Sequence, residues 1–276
     1  MNIGYNTNGF AHHDLFDAVA LLAEIGYRGV AVTIDHTALP PYASYASQRT
    51  KRLRRRLEQL GLRSVIETGA RFLLNPRHKH EPTLVSRDPA GRARRLDFYK
   101  YAVDCAAELH SDCVSLWSGA LPADVSAEQA WPWLVEGLGQ TLDYAAARGV
   151  TVALEPEPGM LVDRTPGFEN LTAQLGRSDL GLTLDIGHLH CQGELPIAAV
   201  IRQWGGRLVN VHVEDMRAGR HEHLMFGEGE IDFPPVFRAL AEARYGGGVY
   251  VELSRHSHQA PETARRAFEF LSPMAE

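Results

Sequence analysis

Four apolar runs close in succession on residues that can hold a metal or move a proton. They are Glu155 in Leu154-Glu155-Pro156-Glu157-Pro158, Asp185 in Leu184-Asp185-Ile186-Gly187-His188, His212 in Asn210-Val211-His212-Val213-Glu214-Asp215, and Glu252 in Val251-Glu252-Leu253-Ser254. An earlier run ends in the same way on Glu67. A carboxylate drawn partly out of water must be paired or must bind a cation. Three carboxylates and one imidazole make a hard, oxygen-rich set with a single nitrogen, which suits Mn²⁺, Mg²⁺ or Co²⁺ and also Zn²⁺. Singly, Asp185 reads equally well as a helix cap, Glu252 as a surface partner of Arg255 and His212 as a core histidine. Their succession favours a shared site.

To bring these heads together the chain needs parallel strands laid side by side. Short β-branched runs recur at Asn2–Asn6, Gly29–Asp35, Ser64–Gly69, Cys113–Ser118, Thr151–Glu157, Gly181–Asp185, Leu208–Val213 and Val249–Leu253. Segments of helical spacing separate them: Leu15–Ile25, Gln48–Leu60, Arg92–Leu109, Ala127–Arg148, Pro166–Leu175, Ile197–Trp204, Pro234–Ala243 and Pro261–Phe270. The repeat is roughly 34 residues, near the ~30 that a βαβ unit requires. Gly26, Gly61 and Gly149 follow three of the helices, at the left-handed position where a helix stops without strain. Such units close most naturally into an α/β fold, a single (β/α)8 TIM barrel over residues 1–276, with an open doubly wound sheet as the alternative. Neighbouring strands lie ~4.8 Å apart, so four consecutive strand ends converge over the barrel mouth. The long irregular segments Ala70–Pro89 and Glu214–Ile231 both follow strands and belong over that same face.

Composition narrows the function. Among 276 residues, Lys+Arg number 28 against 34 Asp+Glu, and a net charge of −6 gives no general field for a polyanion, so no nucleic-acid partner is expected. The basic run Lys51–Leu57 carries the stripe Leu53, Leu57 and Leu60, which makes its arginines a solvated outer face. Cys105, Cys113 and Cys191 are scattered, as reduced thiols are. No apolar run approaches the ~18 residues of a membrane span, so no membrane partner is expected. The first residues lack a basic start and an apolar core, so a cytoplasmic address is expected.

The sequence resembles the sugar phosphate isomerase/epimerase family with a xylose-isomerase-like TIM barrel, which includes ketose 3-epimerases, hydroxypyruvate isomerases and inosose dehydratases. The likeness runs from the Asn2-Ile3-Gly4 strand to the Val251-Glu252-Leu253 strand and rests on Leu154-Glu155-Pro156, Leu184-Asp185-Ile186-Gly187-His188, Val211-His212-Val213-Glu214-Asp215 and Gly227-Glu228-Gly229-Glu230-Ile231-Asp232-Phe233. It implies one divalent metal ion held by Glu155, Asp185, His212 and Glu252, the four positions already singled out, and no organic cofactor. It further implies that Glu155 and Glu252 carry protons to and from opposite faces of a metal-polarised sugar, through an enediolate. His188 is then expected to hydrogen-bond a substrate oxygen, and Arg217 falls where a substrate-contacting arginine is often placed.

Two features depart from the simple epimerase pattern. Arg220-His221-Glu222-His223 precedes the glycine step, in a region where the related apurinic-site endonucleases ligate additional zinc. His188, His221 and His223 could form a second, nitrogen-rich metal site, His223 and its loop could act as a substrate lid with Gly219 as the hinge, or the loop could be solvated with no role. Glu157 follows the presumed ligand Glu155 and reads as supporting it or facing substrate, while Trp117 could stack on a sugar ring. Arg77-His78-Lys79-His80 and His256/His258 lie near the expected mouth. The expectation is therefore a metal-dependent isomerase or epimerase of a small sugar or cyclitol, with homo-oligomerisation compatible. The alternatives are a dehydratase working through the same enediolate, an apurinic-endonuclease-like phosphodiester hydrolase and a non-catalytic metabolite-binding barrel.

Overall fold

In a computed structural model that describes residues 1–275, the chain alternates strand and helix from its first residues. In chain order these are β1 (Asn2–Asn6), α1 (Leu15–Ile25), β2 (Gly29–Thr33), α2 (Ala46–Leu60), β3 (Arg63–Glu67), α3 (Pro89–Leu109), β4 (Val114–Leu116) and α4 (Ala127–Ala146). Next come β5 (Val152–Leu154), α5 (Thr165–Leu175), β6 (Leu180–Asp185), α6 (Ile186–Gln192), α7 (Ile197–Trp204) and β7 (Leu208–Val213). The hairpin β8 (Asp215–Arg217) and β9 (Arg220–Leu224) follows, then α8 (Phe233–Glu242), β10 (Gly248–Val251) and α9 (Ala260–Ala275).

Strands β1 to β7 and β10 pair in parallel and close into a barrel, β10 completing the ring between β7 and β1. The runs are largely apolar because both faces are covered, side chains filling the barrel inside and helices packing outside. The bottom of the barrel is filled by Ala31, Val65, Cys113, Ala153 and Tyr250. Glycine at position 4 makes room for that ring, since a Cβ there would sit 2.3 Å from Tyr250 Cδ1. Among the described residues, no helix is long and apolar enough to cross a membrane.

Several boundaries move from those expected, each for a local reason. Asp88 caps α3 by accepting the Ala90 and Gly91 amides, and Pro89 follows at the first turn, so the helix begins before Arg92. Gly61 and Gly149 both adopt the left-handed conformation at φ 66°, Gly61 as the cap of α2 and Gly149 three residues beyond the end of α4 at Ala146, whereas Gly26 caps α1 at φ 126°. The segment 214–231, expected to be irregular, is partly a hairpin. The Asp215 carboxylate gathers the amides of Met216, Gly227, Gly229 and Ile231, which folds the segment back on itself.

One irregularity decides which way the site histidine faces. Leu208 of β7 pairs with Leu182 of β6, but Asn210 pairs with the next residue, Thr183, leaving Val209 as an extra residue. Val209 packs on the barrel interior and would, with simple alternation, send His212 outward. The bulge resets the alternation, so Asn210 and His212 both point into the barrel.

Candidate active site

Glu155 and Glu252 each stand one residue beyond their strands, β5 and β10. Their backbone amides still bond to the neighbouring strands, at Leu116 O (2.8 Å) and Val213 O (3.0 Å), so the barrel orients both side chains. Asp185 ends β6 and His212 lies one residue before the end of β7. One donor atom from each of Glu155, Asp185, His212 and Glu252 falls within 4.8 Å of the others, so the four expected ligands do converge. His212 Nδ1 is the hub, 3.1 Å from Glu155 Oε1 and 3.0 Å from Glu252 Oε2.

The ring of His212 is held from behind. Its Nε2 lies 3.0 Å from Glu67 Oε1, and Asn210 Nδ2 donates to the same oxygen at 3.0 Å. A proton on Nε2 donated to Glu67 leaves the Nδ1 lone pair free to face a metal, the arrangement in which a carboxylate fixes the tautomer of a ligating histidine. Glu67 thus belongs to the support of the site. Glu67→Gln is expected to weaken metal binding about 10–100-fold while the chain remains folded, which titration of the apo-protein with Mn²⁺ measures.

Asp185 does two jobs. Its Oδ1 accepts the His188 amide at 2.8 Å and caps α6, while Oδ2 is buried without a hydrogen-bond partner. An orphaned carboxylate oxygen among two more acids and an imidazole is what a divalent cation satisfies, so the residues present fit a metal. The electrostatics agree. Burial drives the Glu155 carboxyl to about 8 against the pull of His212, with Glu252 and Asp185 adding to the rise. Burial also opposes charge on His212, but Glu155, Glu67 and Glu252 outweigh it and raise the imidazole well above its ordinary value. Burial raises Glu252 and Asp185 too, yet His212 leads the charges that hold Glu252 low, and His188 and His212 hold Asp185 low. The cluster retains protons where a cation would sit, and a divalent ion replaces them.

Below α6 lies Glu214, fully buried, with neither carboxylate oxygen hydrogen-bonded. Burial first, then the charge of Asp185, raises its carboxyl well above the ordinary range. Glycine at 187 is required there, because a Cβ would come within 2.0 Å of Glu214 Oε1.

The cavity above these residues has a volume of about 640 Å³ and is lined by Glu155, Glu157, His212, Glu252, His221 and His223 among others. Trp117 reaches it, as do Lys79, His80 and His258. Two expected substrate contacts do not. His188 is buried behind the cavity wall, with Nδ1 3.3 Å from Pro156 O and Nε2 3.1 Å from His221 Nε2, because capping of α6 turns it toward the hairpin. Arg217 lies outside the cavity and braces the hairpin, bonded to Glu222 Oε1 at 3.1 Å and to Glu228 O at 2.7 Å.

His188, His221 and His223 do gather, with one nitrogen of each within 4.8 Å of the others. Residues 221 and 223 share a face of β9, which carries both toward the cavity. Burial and the nearby histidines hold His188 below its ordinary value and His221 at about 4. Glu157 sits beside them, 3.8 Å from His188 Nε2 and 3.7 Å from His221 Nε2, and burial, Glu155 and Glu252 push its carboxyl well up. Sequence reasoning missed Asn8, whose Nδ2 donates to Glu252 Oε1 at 2.8 Å; a lone Asn after the first strand carries no signal of that role.

The profile of the xylose isomerase-like TIM barrel family matches residues 19–274. The chain belongs to that family. It is similar to L-ribulose-5-phosphate 3-epimerase UlaE of Shigella flexneri, 24% identical over 249 residues that cover 89% of this chain and 84% of that one. It is also similar to inosose dehydratase of Clostridium beijerinckii, 30% identical over 142 residues, which are 45% of this chain and 47% of the dehydratase, so that match spans about half of either protein. Among solved structures, the IolI protein with a bound zinc atom superposes with a TM-score of 0.80 at 20% identity, covering 100% of this chain and 98% of that one, which shows the shared fold.

Proposed function

We propose that the protein is a divalent-metal-dependent isomerase or epimerase of a sugar or polyol-like carbonyl compound, with the ion held by Glu155, Asp185, His212 and Glu252. One observation carries the reading: carboxylates from β5 and β10 lie on the same histidine nitrogen, at 3.1 and 3.0 Å, and both line one cavity. When bound, the ion supplies positive charge to neighbouring carbonyl and hydroxyl oxygens, which acidifies the α-carbon proton. Glu155 and Glu252 then act as the proton carriers, one taking the proton from one face and the other returning one to the opposite face, through an enediolate. Asn8 holds Glu252 in place through its 2.8 Å hydrogen bond, and Trp117 offers a flat wall for the sugar.

The family match and the epimerase relative support this class of chemistry. In deuterated water, turnover is expected to place deuterium on carbon in recovered substrate and product, and turnover without label would overturn proton transfer to solvent-exchanging groups. The dehydratase relative keeps a second reading alive, in which the enediolate expels a β-hydroxyl; a product lighter by one water identifies it.

His221 and His223 support substrate contact because both line the cavity. His223→Ala is expected to raise KM about tenfold at constant metal content, the effect of losing one or two hydrogen bonds to sugar oxygens. Loss of one ion of two would instead assign the trio with His188 to a second metal centre.

A further inference from the structure

One wall of the cavity stands apart from the four clustered residues. Glu155, Asp185, His212 and Glu252 come from β5, β6, β7 and β10, whereas His80 and Trp117 follow β3 and β4, and β3 lies diametrically opposite β7 in the closed ring. His80 and Trp117 both line the cavity, the imidazole edge-on to the indole with ring centres 5.4 Å apart and planes at 86°. A sugar whose carbonyl end lies at Glu155 and Glu252 therefore turns its far end toward this wall. The His80 ring has a fixed tautomer. Its Nδ1 bonds to Gly69 O, and a carbonyl only accepts, so the proton is on Nδ1. Burial leads in lowering the imidazole, the Gly69 carbonyl opposes it, and the charges of Lys79, Arg95 and Arg71 bring it down to about 4, so the ring carries no second proton at neutral pH. Nε2 is left bare. Among the described residues it has no hydrogen-bond partner, it is not sealed from solvent, and it lies on the side of the ring away from Gly69. A bare imidazole nitrogen accepts and cannot donate, so the sugar group it binds is a hydroxyl acting as donor.

The backbone that carries this ring is held as firmly. Arg95 of α3 is fully buried, and its guanidinium is spent on the loop's own carbonyls: Thr68 O at 3.2 Å, Pro82 O at 2.6 Å, and His80 O. The same guanidinium lies 5.1 Å from the centre of the Trp117 ring, so one buried cation braces both residues of the wall. The His80 amide donates to Arg71 O at 2.6 Å, and His80 itself stands at φ 67°. A non-glycine residue persists in that conformation only where its surroundings hold it, and such residues cluster at functional sites. Latching the loop uses the Nδ1 bond alone. It leaves the open nitrogen without a purpose.

We infer that His80 is a specificity-determining contact, its Nε2 accepting a hydrogen bond from a hydroxyl at the non-reacting end of the sugar, beside Trp117. The inference rests on the reading of this cavity as a sugar site. Nitrogen-15 spectra of the Mg²⁺-loaded full chain, with His80 assigned by the signals lost in His80→Asn, are expected to show a protonated Nδ1 and a bare Nε2 that shifts when D-fructose is added. A proton on Nε2 in place of Nδ1 would overturn the contact. Asparagine suits position 80 because it tolerates positive φ and its amide can still donate to Gly69 O, while nothing replaces the acceptor at Nε2. Calorimetric titration then compares D-fructose with dihydroxyacetone, which has the carbonyl and its neighbouring hydroxyls but no far end. His80→Asn is expected to weaken D-fructose about tenfold, the loss of one hydrogen bond, and to leave dihydroxyacetone binding, metal content and melting temperature unchanged. Undiminished fructose binding in the variant, or an equal loss for both ketoses, would overturn the contact, the second result making His80 part of the loop's frame alone. Failure of D-fructose to bind the wild type would remove the sugar reading and the contact together, whereas fructose binding that leaves the His80 nitrogens unmoved would remove only the contact.

Discussion

Purified without chelator, the protein is expected to carry one divalent ion per chain, and Asp185→Ala and His212→Ala to carry less than about a tenth of that. The expectation follows from the geometry of the two side chains. His212 Nδ1 is the atom on which Glu155 and Glu252 converge, and Asp185 Oδ2 is buried with no hydrogen-bond partner. Removing either leaves the remaining acids facing one another. Metal and fold are linked, so chelation is expected to lower the melting temperature of the wild type by roughly 10 °C, from ~4 kcal/mol at a thousandfold excess over Kd and ~2–4 °C per kcal/mol at this size. Chelator should leave the two variants unmoved. Asp185→Ala also removes the cap that Oδ1 provides to the His188 amide, which costs ~1 kcal/mol by itself. Asp185→Asn separates the two roles, since it keeps an oxygen for the cap and loses the charge. Elemental analysis of all three variants, paired with melting curves, makes the check, and undiminished metal in Asp185→Ala and His212→Ala would remove the site.

The four clustered residues were legible in the sequence because of where they stand, while the details that aim them were not. An apolar run closing on Glu, Asp or His marks a strand end at the barrel mouth, and that local pattern survives into the folded chain for Glu155, Asp185, His212 and Glu252. The bulge at Val209, which turns His212 inward, has no sequence mark, since Leu208-Val209-Asn210-Val211 reads as ordinary alternation. The hairpin of β8 and β9 was equally hidden, because it is organised by one carboxylate, Asp215, collecting amides up to sixteen residues away. Helix α6 is too short for its periodicity to show, and that helix explains the misplacement of His188. Capping by Asp185 sets the ring against His221 and Pro156 O, not against the cavity. Arg217 fails for a related reason: the hairpin offers it Glu222 and the Glu228 carbonyl close at hand. Lys79 and His80 could be placed near the mouth but not assigned, since what fixes their loop is Arg95, whose burial only the folded structure reveals.

Glu155→Gln and Glu252→Gln should divide the reaction into its two halves. Glutamine keeps the shape and one oxygen of each side chain but can neither accept nor deliver the proton, so kcat is expected to fall by ~10²–10⁴ in each, and further if the ion is also bound more weakly. Glu252→Gln has the added difficulty that the two oxygens of Glu252 serve different neighbours, Asn8 Nδ2 at 2.8 Å and the proposed metal position beside His212 Nδ1 at 3.0 Å, so the amide nitrogen must face either the Asn8 donor or the cation. Metal content is therefore measured on the same preparations, with Mn²⁺ supplied to saturation. The sharper result is in the label. If the two glutamates work on opposite faces, each variant loses exchange in one epimer and keeps it in the other: the surviving glutamate still removes and returns the proton on its own side, washing deuterium into that epimer without converting it. Complementary labelling by the two variants would establish one proton carrier per face. Loss of exchange in both epimers by one variant, with the other variant exchanging both, would reduce the pair to a single carrier and leave its partner as a metal ligand alone.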